Sequence, residues 1–183
     1  MIENDETITG SKLVNVRIND LWTGYTVTYD LDGSTLTNAS NGKTNKQVYT
    51  IPAGATASKE GFTFTGWKYD AQIGGALAAG EVQSGHEFTD LTGNITLSPT
   101  FEKNQTITFD EGDYYGSTGV PRRPQTSQGT KYTIPSTEPS LTNFKFTGWL
   151  RSDTNDICAA GQTITGINTD ITLTAQWTPA DGS

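Results

Sequence analysis

The residues best suited to nucleophilic catalysis are Cys158 and His86, because the chain has one cysteine and one histidine. An imidazole beside a thiol can take its proton and activate it. However, the two residues fall in different copies of an internal repeat, and neither position recurs in the other copy. The polar stretch QSGHEF favours a solvated histidine, and the apolar stretch ICAAG favours a small buried thiol. We therefore predict no catalytic residues and no enzyme activity.

Carboxylates could bind a metal or hydrolyse a sugar. Each copy has an acidic cluster next to a glycine, one at Asp30 and Asp32 and the other at Asp110, Glu111 and Asp113. A calcium loop needs a longer series of oxygen ligands ending in a bidentate acid, and a glycosidase needs two carboxylates at a defined separation in a cleft. Asp and Gly are also favoured in turns at strand ends. The clusters therefore predict turns, no metal site and no cofactor.

The loop Glu111–Thr130 contains the residues best suited to binding a ligand. Tyr114 and Tyr115 stand among glycines and acids, and Arg122 and Arg123 follow. Tyrosines in such a setting offer a rigid surface with one polar tip, which suits sugars and proteins. We predict these four residues as a candidate binding site. The alternatives are a variable loop without a ligand and a tyrosine that folds back onto the core.

The charge of the chain argues against nucleic acid as a partner. Asp and Glu number 20 against 12 Lys and Arg, and the only adjacent basic pair is Arg122 and Arg123, whereas a phosphate backbone is held mainly by clustered cations. No apolar run of about 18 residues is present, so no transmembrane segment is expected. The opening MIENDETITG lacks the basic start and apolar core of a signal peptide.

The elements that must position these residues are organised around a repeated stretch. Phe62–Trp67 reads FTFTGW and Phe144–Trp149 reads FKFTGW. Alternating aromatics predict a strand with one buried face, and Gly66 and Gly148 allow a break in the alternation that turns the tryptophan inward. The predicted core residues are Phe64, Trp67, Phe101, Phe146, Trp149 and Trp177.

The remaining strand signals follow the same order in both copies. They are YTVTYD and QTITFD, then VYTIP and KYTIP, and at the end Ile95–Phe101 and Ile171–Trp177. Pro99 is expected to reduce the first closing strand to an edge or a bulge and to make the first copy the less stable. PAGATASKEG and PSTEPSLTN are expected to be loops. ALAAGE and ICAAGQ are each a short apolar stretch that reaches a glycine, and we align them with each other. This alignment places Cys158 at the position of Leu77 or Ala78.

The repeat predicts two tandem modules, residues 25–103 and 104–183, after a leader at residues 1–24. In the leader, TITG at Thr7–Gly10 matches TITG at Thr163–Gly166, and the strand pattern that follows ends at Trp22. The leader is therefore either the last strand of a preceding repeat or an unrelated strand.

The order of these motifs, with FTGW followed by ITLTAQW at Ile171–Trp177, resembles the Listeria-Bacteroides repeat, or internalin-type B-repeat, of bacterial surface proteins. The resemblance implies a mainly β fold of two tandem β-grasp-like modules with little or no helix and without catalysis. It also implies an extracellular or cell-surface location in a bacterium. The expected function is a spacer and adhesion-type interaction region of a larger protein, monomeric, with a host or cell-surface protein or a glycan as partner. The alternative is a carbohydrate-binding accessory module of a secreted enzyme that uses Tyr114 and Tyr115.

Overall fold

The computed structural model describes residues 24–180, which contain strands, turns and bends but no helix. The mainly β class and the lack of helix predicted above are confirmed over this range. The predicted leader, including Trp22, lies outside the described residues except for Gly24. The described residues form two compact units, which comprise residues 24–58 with 65–100 and residues 59–64 with 101–180. The module boundary at 103/104 stays a prediction.

The strands of the first part of the chain form one five-stranded sheet and two small ribbons. The sheet order is β3-β1-β9-β6-β7, and the ribbons are β2-β5 and β4-β8. Bounds are β1 Thr26–Tyr29, β2 Thr35–Thr37, β3 Gly42–Lys43, β4 Tyr49–Thr50, β5 Thr56–Ser58, β6 Phe62–Ile73, β7 Ala76–Val82, β8 Glu87–Phe88 and β9 Leu91–Lys103.

The second part repeats the five-stranded sheet but has one small ribbon instead of two, and its two longest strands are shorter than their counterparts. Its sheet order is β11-β10-β16-β13-β14, and its ribbon is β12-β15. Bounds are β10 Thr106–Asp110, β11 Gln125–Thr126, β12 Tyr132–Thr133, β13 Phe144–Arg151, β14 Ile157–Cys158, β15 Thr163–Ile164 and β16 Ile171–Pro179.

In both sheets the first long strand runs parallel to the last. Val27 lies beside Ile95 in the β1–β9 pair, and Ile107 lies beside Ile171 in the β10–β16 pair. All four of these side chains are buried. A parallel pair needs a long crossover. The rest of each repeat therefore lies, in sequence, between these two neighbouring strands.

Glycine in FTGW makes the predicted break. Gly66 and Gly148 have φ of 152° and 144°, and the β13–β16 register shifts between Phe146 and Gly148. A Cβ on Gly148 would lie 2.5 Å from Ile157 Cγ2, and one on Gly66 would lie 2.9 Å from the Val82 carbonyl oxygen. Only glycine fits this bulge, which brings the next residue, tryptophan, onto the core face.

The expectation that Pro99 reduces its strand to an edge was wrong, whereas the lower stability of the first copy stays a prediction. Strand β9 runs through Pro99 without interruption and occupies the middle of the five-stranded sheet. The pairing with β1 ends at Tyr29 and Leu97, so Pro99 lies beyond the point at which a ladder donor is needed on that side. The missing N–H therefore does not break the strand.

Two further expectations were wrong in the first part of the chain. The stretch PAGATASKEG is not all loop, because Thr56–Ser58 pairs with Thr35–Thr37. The matching of ALAAGE with ICAAGQ also fails, because Trp67 lies opposite Val82 whereas Trp149 lies opposite Cys158. Val82 is therefore the counterpart of Cys158, and most of β7 belongs to a longer hairpin that the second part lacks.

Candidate interaction surfaces

Trp67 and Trp149 lie at the centres of the two cores. Their exposed fractions are 0% and 1%. Each indole meets an aromatic ring of the first long strand edge to face, Tyr29 at 5.0 Å for Trp67 and Phe109 at 4.8 Å for Trp149. Both indoles therefore lie inside the protein and present no surface to a ligand.

The other predicted core residues are buried to different degrees. Phe146 is buried and contacts Trp149 and Trp177 with ring centroids 5.2 and 5.6 Å apart. Phe64, Phe101 and Trp177 are only half-buried. The Trp177 indole N–H donates to the carbonyl oxygen of Glu111 at 3.0 Å. This bond ties the start of the tyrosine loop to the last strand.

The two tyrosines of the loop have different surroundings. Tyr114 is 40% exposed and packs on Phe144 with ring centroids 4.3 Å apart, while Tyr115 is 92% exposed. The loop around them is held by local hydrogen bonds from Gly112 N to Asp110 Oδ1 and from Gly116 N to Glu111 Oε2. Tyr114 therefore packs against the sheet, and Tyr115 projects into solvent from a turn that is held by hydrogen bonds.

Arg122 and Arg123 are exposed, but the structure does not bring them to the tyrosines. Among residues 24–180, no hydrogen bond, ion pair or ring contact links either guanidinium to Tyr114 or Tyr115. In this part of the loop the Gln125 side-chain amide donates to the carbonyl oxygen of Arg123 at 2.9 Å. The four predicted binding residues therefore form two separate features of one loop.

A small cleft lies beside Tyr114. It has a volume of about 170 Å³ and is lined by Gly112–Tyr114 and Thr174–Trp177. Gly112 has φ of 78°, and a Cβ there would lie 2.6 Å from the Ala175 carbonyl oxygen, so the loop approaches β16 this closely only because it has glycine. The lining includes Asp113, Thr174 and Gln176, whose side chains can hydrogen-bond hydroxyl groups. Gln176 Nε2 already donates to the carbonyl oxygens of Thr174 and Ala175.

Comparison with known proteins agrees with this repeated geometry. The family model for the Listeria-Bacteroides repeat domain matches residues 25–98 and again residues 106–176. The chain belongs to the Listeria-Bacteroides repeat family. A stretch of 90 residues is also 37% identical to Internalin H of Listeria monocytogenes serovar 1/2a. That match covers 48% of this chain but 14% of the relative. No solved structure matches the chain.

The two Listeria-Bacteroides repeats share a hydroxyl staple that sequence reasoning missed. Thr44 Oγ1 accepts the N–H of Tyr25 and donates to the carbonyl oxygen of Lys46. In the second repeat, Ser127 Oγ accepts the N–H of Gln105 and donates to the carbonyl oxygen of Gly129. Thr44 and Ser127 are both buried. The only signal in the sequence was a hydroxyl residue at the same place in two otherwise different polar loops.

The second Listeria-Bacteroides repeat also contains an ion pair that sequence reasoning missed. Arg151 is 6% exposed. Its Nε and Nη2 donate to the two carboxylate oxygens of Asp153, each at 2.7 Å, and its Nη1 donates to the carbonyl oxygen of Thr165. The hydrogen bonds with Asp153 raise the pKa of Arg151, and those from Arg151 hold the pKa of Asp153 below its usual value. Nearly full burial of Arg151 and a bidentate pair with Asp153 indicate a structural role.

The residues considered for catalysis or metal binding have other surroundings. His86 is exposed and lies against Phe88 in the first unit, whereas Cys158 is buried in the second. Burial raises the pKa of the Cys158 thiol, which disfavours the reactive thiolate. Within residues 24–180, no group of three or more His, Cys, Asp or Glu is placed to hold a metal ion. The same range has no helix suited to crossing a membrane.

Proposed function

We propose that this chain is an extracellular, non-catalytic repeat region of a larger bacterial surface protein, in which it acts as a spacer and an adhesion-type interaction region. The proposal rests on the kind of feature that occurs in both repeats. The buried tryptophan, its edge-to-face partner and the hydroxyl staple occur in both. These features stabilise a fold, and a duplicated active site would instead repeat its acids or bases.

The match to Internalin H supports this proposal in a limited way. It covers a small part of that protein, as expected when a repeat region is one segment of a longer chain. The net charge of −8 favours solubility. Partners of the proposed region are a host or cell-surface protein or a glycan.

The location can be tested on intact bacteria that express the full-length protein. Brief protease treatment of unbroken cells should release peptides from residues 25–176, because an extracellular repeat region is accessible. A cytoplasmic protein in the same cells is the control and should stay uncut. Complete protection of the repeats until the cells are lysed would overturn the extracellular proposal.

A second candidate function is a carbohydrate-binding accessory module of a secreted enzyme. It is supported by a cleft that is lined by Tyr114 and the polar residues Asp113, Thr174 and Gln176, and by the exposed Tyr115, which follows Tyr114 in the sequence. The cleft is below the roughly 300 Å³ at which drug-sized pockets begin, so it suits a single sugar unit. Tyrosine rings provide a flat apolar face against which a sugar ring can stack.

This candidate can be tested by co-sedimentation with insoluble polysaccharides such as cellulose, chitin and peptidoglycan. Tyr114→Ala with Tyr115→Ala should abolish co-sedimentation, whereas Arg122→Ala with Arg123→Ala is the matched control and should retain it. Loss in the arginine variant alone would indicate a ligand held by charge. No binding of the unmodified chain to any of the three would count against this candidate.

A further inference from the structure

Strand β7 forms an edge of the five-stranded sheet in the first repeat. It pairs on one side with β6, from Trp67 opposite Val82 to Ile73 opposite Ala76. The connecting turn is Gly74 and Gly75, whose φ values are 58° and 84°. Two positive φ angles allow the two-residue turn that matches the twist of a hairpin, so β7 is a regular hairpin strand. Its other side has no neighbouring strand in the described sheet.

The geometry of the turn determines which backbone groups of β7 point outward. The residues that flank a two-residue turn form a hydrogen-bonded pair, and such pairs then alternate along the hairpin. Ala76 and every second residue after it therefore bond to β6. Leu77, Ala79 and Glu81 direct their N–H and C=O groups away from it, and in the described part of the chain no hydrogen bond from another segment reaches them.

This edge lacks the features that normally prevent strand pairing. Natural sheet edges are kept short or carry Lys, Pro or a bulge. Strands β3, β11 and β14, the other edges of the two five-stranded sheets, have 2 residues each, whereas β7 has 7. Its sequence is ALAAGEV, with Glu81 as its only charge, and Leu77 is 86% exposed. A long exposed edge of small residues is a surface suited to adding a strand.

We infer that the occupant of this edge is β7 of a second copy of the chain, paired antiparallel about a two-fold axis at Ala79. In this register Leu77 faces Glu81 of the other copy, and Ala79 faces itself. All the outward backbone groups then find partners. A shift that centred the axis on Glu81 would place two carboxylates opposite each other, which is unfavourable. Within the hairpin Glu81 lies opposite Lys68 in the strand register, so the register centred on Ala79 leaves Glu81 next to one cationic and one apolar residue.

The pairing should stop at a dimer. A two-fold contact uses the same edge of both copies and leaves no second β7 free. The opposite edge of the sheet is β3, which has two residues and includes Lys43, so it is protected against continued addition. A single strand pair buries less area than a standard interface. Association should therefore be weak, and it would replace the monomer expected from the sequence only at high protein concentration.

Sedimentation velocity from 10 µM to 1 mM tests this inference. The mean mass of the unmodified chain should rise towards twice the monomer mass. Leu77→Glu should keep the chain monomeric, because it places a carboxylate opposite Glu81 of the other copy, and it should not unfold the chain because Leu77 is almost fully exposed. The matched control is Ile157→Glu, since Ile157 is a 53% exposed apolar residue on the short edge strand β14 of the second repeat, and it should dimerise as the unmodified chain does.

Amide hydrogen exchange then locates the contact. At 1 mM the amides of Leu77, Ala79 and Glu81 should exchange at least several-fold more slowly than at 10 µM. Ala79→Pro, which removes an outward donor, should abolish the dimer. The inference is overturned if the chain stays monomeric at 1 mM, if it forms open polymers, if Leu77→Glu still dimerises, or if these three amides show no concentration-dependent protection.

Discussion

The two tryptophans of the FTGW motifs occupy the same backbone position, but their indole nitrogens have different surroundings. Trp67 Nε1 donates to Ser84 Oγ at 3.1 Å, and Ser84 in turn donates to the carbonyl oxygen of Ala55. Trp149 Nε1 is buried and has no hydrogen-bond partner in the described residues. By the strand register, Ala160 stands where the first repeat has Ser84. The apolar part of this core therefore repeats, while its polar part has diverged.

A second difference lies two residues after each tryptophan. The first repeat has Tyr69, whose ring packs edge to face against Phe88 with centroids 5.0 Å apart. The second repeat has Arg151 at this position, bound to Asp153. One fold therefore accepts either an aromatic pair or a buried arginine with a carboxylate partner at the same place, so this position is not restricted to one kind of interaction.

The largest effects are expected from removing the tryptophans. Replacing a buried aromatic by alanine costs about 3–5 kcal/mol, a large part of the stability of a small domain. Trp149→Ala should unfold its repeat, and Trp67→Ala should cost at least as much because it also leaves Ser84 without its indole partner. Urea unfolding followed by two-dimensional NMR would report each repeat separately. An unchanged unfolding midpoint for either variant would show that the indole is not a core anchor.

The next largest effect is expected at the ion pair. Asp153→Ala leaves the Arg151 guanidinium nearly buried without its carboxylate, and losing hydrogen bonds to a charged group costs about 1.5–3 kcal/mol. Tyr69→Phe in the first repeat is the matched control and should change little, because Tyr69 contributes a ring contact at this position. Equal effects of Asp153→Ala and Tyr69→Phe in urea unfolding would show that the Asp153 carboxylate contributes no more to stability than the Tyr69 hydroxyl.

The ion pair also predicts a dependence on pH. Hydrogen bonds from Arg151 lower the pKa of Asp153 in the folded protein. The stabilisation is therefore fully present above the unfolded pKa of an aspartate, about 3.9, and is lost as the pH falls through the lower folded value. Acid unfolding of Asp153→Ala should lack this contribution, so the stability difference between the variant and the unmodified chain should shrink below about pH 4.

Local sequence patterns were sufficient to predict the repeated parts of the fold. Alternating aromatics and the glycine of FTGW act within six residues, so they predict the strand, the bulge and an inward-facing tryptophan without knowledge of any partner. The length of β7 could not be read in the same way. The length depends on which residue lies opposite Trp67. The likeness of ALAAGE to ICAAGQ is misleading on this point, because the strand register makes Val82 the counterpart of Cys158.

The candidate site was predictable in composition but not in arrangement. Exposed Tyr115 follows from a glycine-rich polar setting, whereas the cleft depends on β16 passing close to Gly112. The sequence distance between Tyr114 and Arg122 does not say whether their side chains meet. The burial of Arg151 depends on the carboxylate and carbonyl groups that surround it in three dimensions, which no periodic pattern reveals.

A smaller effect is expected from exchanging the indole partner between the repeats. Ser84→Ala should destabilise the first repeat by about 1–2 kcal/mol, because it removes one partner of a buried donor. Ala160→Ser should stabilise the second repeat by about 0.5–1 kcal/mol if the new hydroxyl reaches Trp149 Nε1. Urea unfolding of both variants measures these shifts. Two effects of the same sign would show that the difference between the tryptophans does not arise from the hydrogen bond.

The smallest effect is expected at the tyrosine pair of the first repeat. Tyr29 and Tyr49 share a hydrogen bond of 2.8 Å between their hydroxyl oxygens, and the corresponding residues of the second repeat are Phe109 and Tyr132. Burial and this bond raise the pKa of Tyr29 strongly. Tyr29→Phe should cost about 0.5–1.5 kcal/mol and should leave the edge-to-face contact with Trp67 in place. Because the neutral phenol is favoured in the folded state, the unmodified first repeat should keep this stabilisation below an unfolded pKa of about 10 and lose it as the pH rises beyond that value.

Phe109→Tyr provides the reciprocal variant, since it places a hydroxyl where Tyr132 can accept or donate a hydrogen bond. If urea unfolding at neutral pH shows that Tyr29→Phe is neutral while Phe109→Tyr destabilises its repeat, the hydroxyl pair does not stabilise the first core, and only the ring contact common to both repeats contributes at this position.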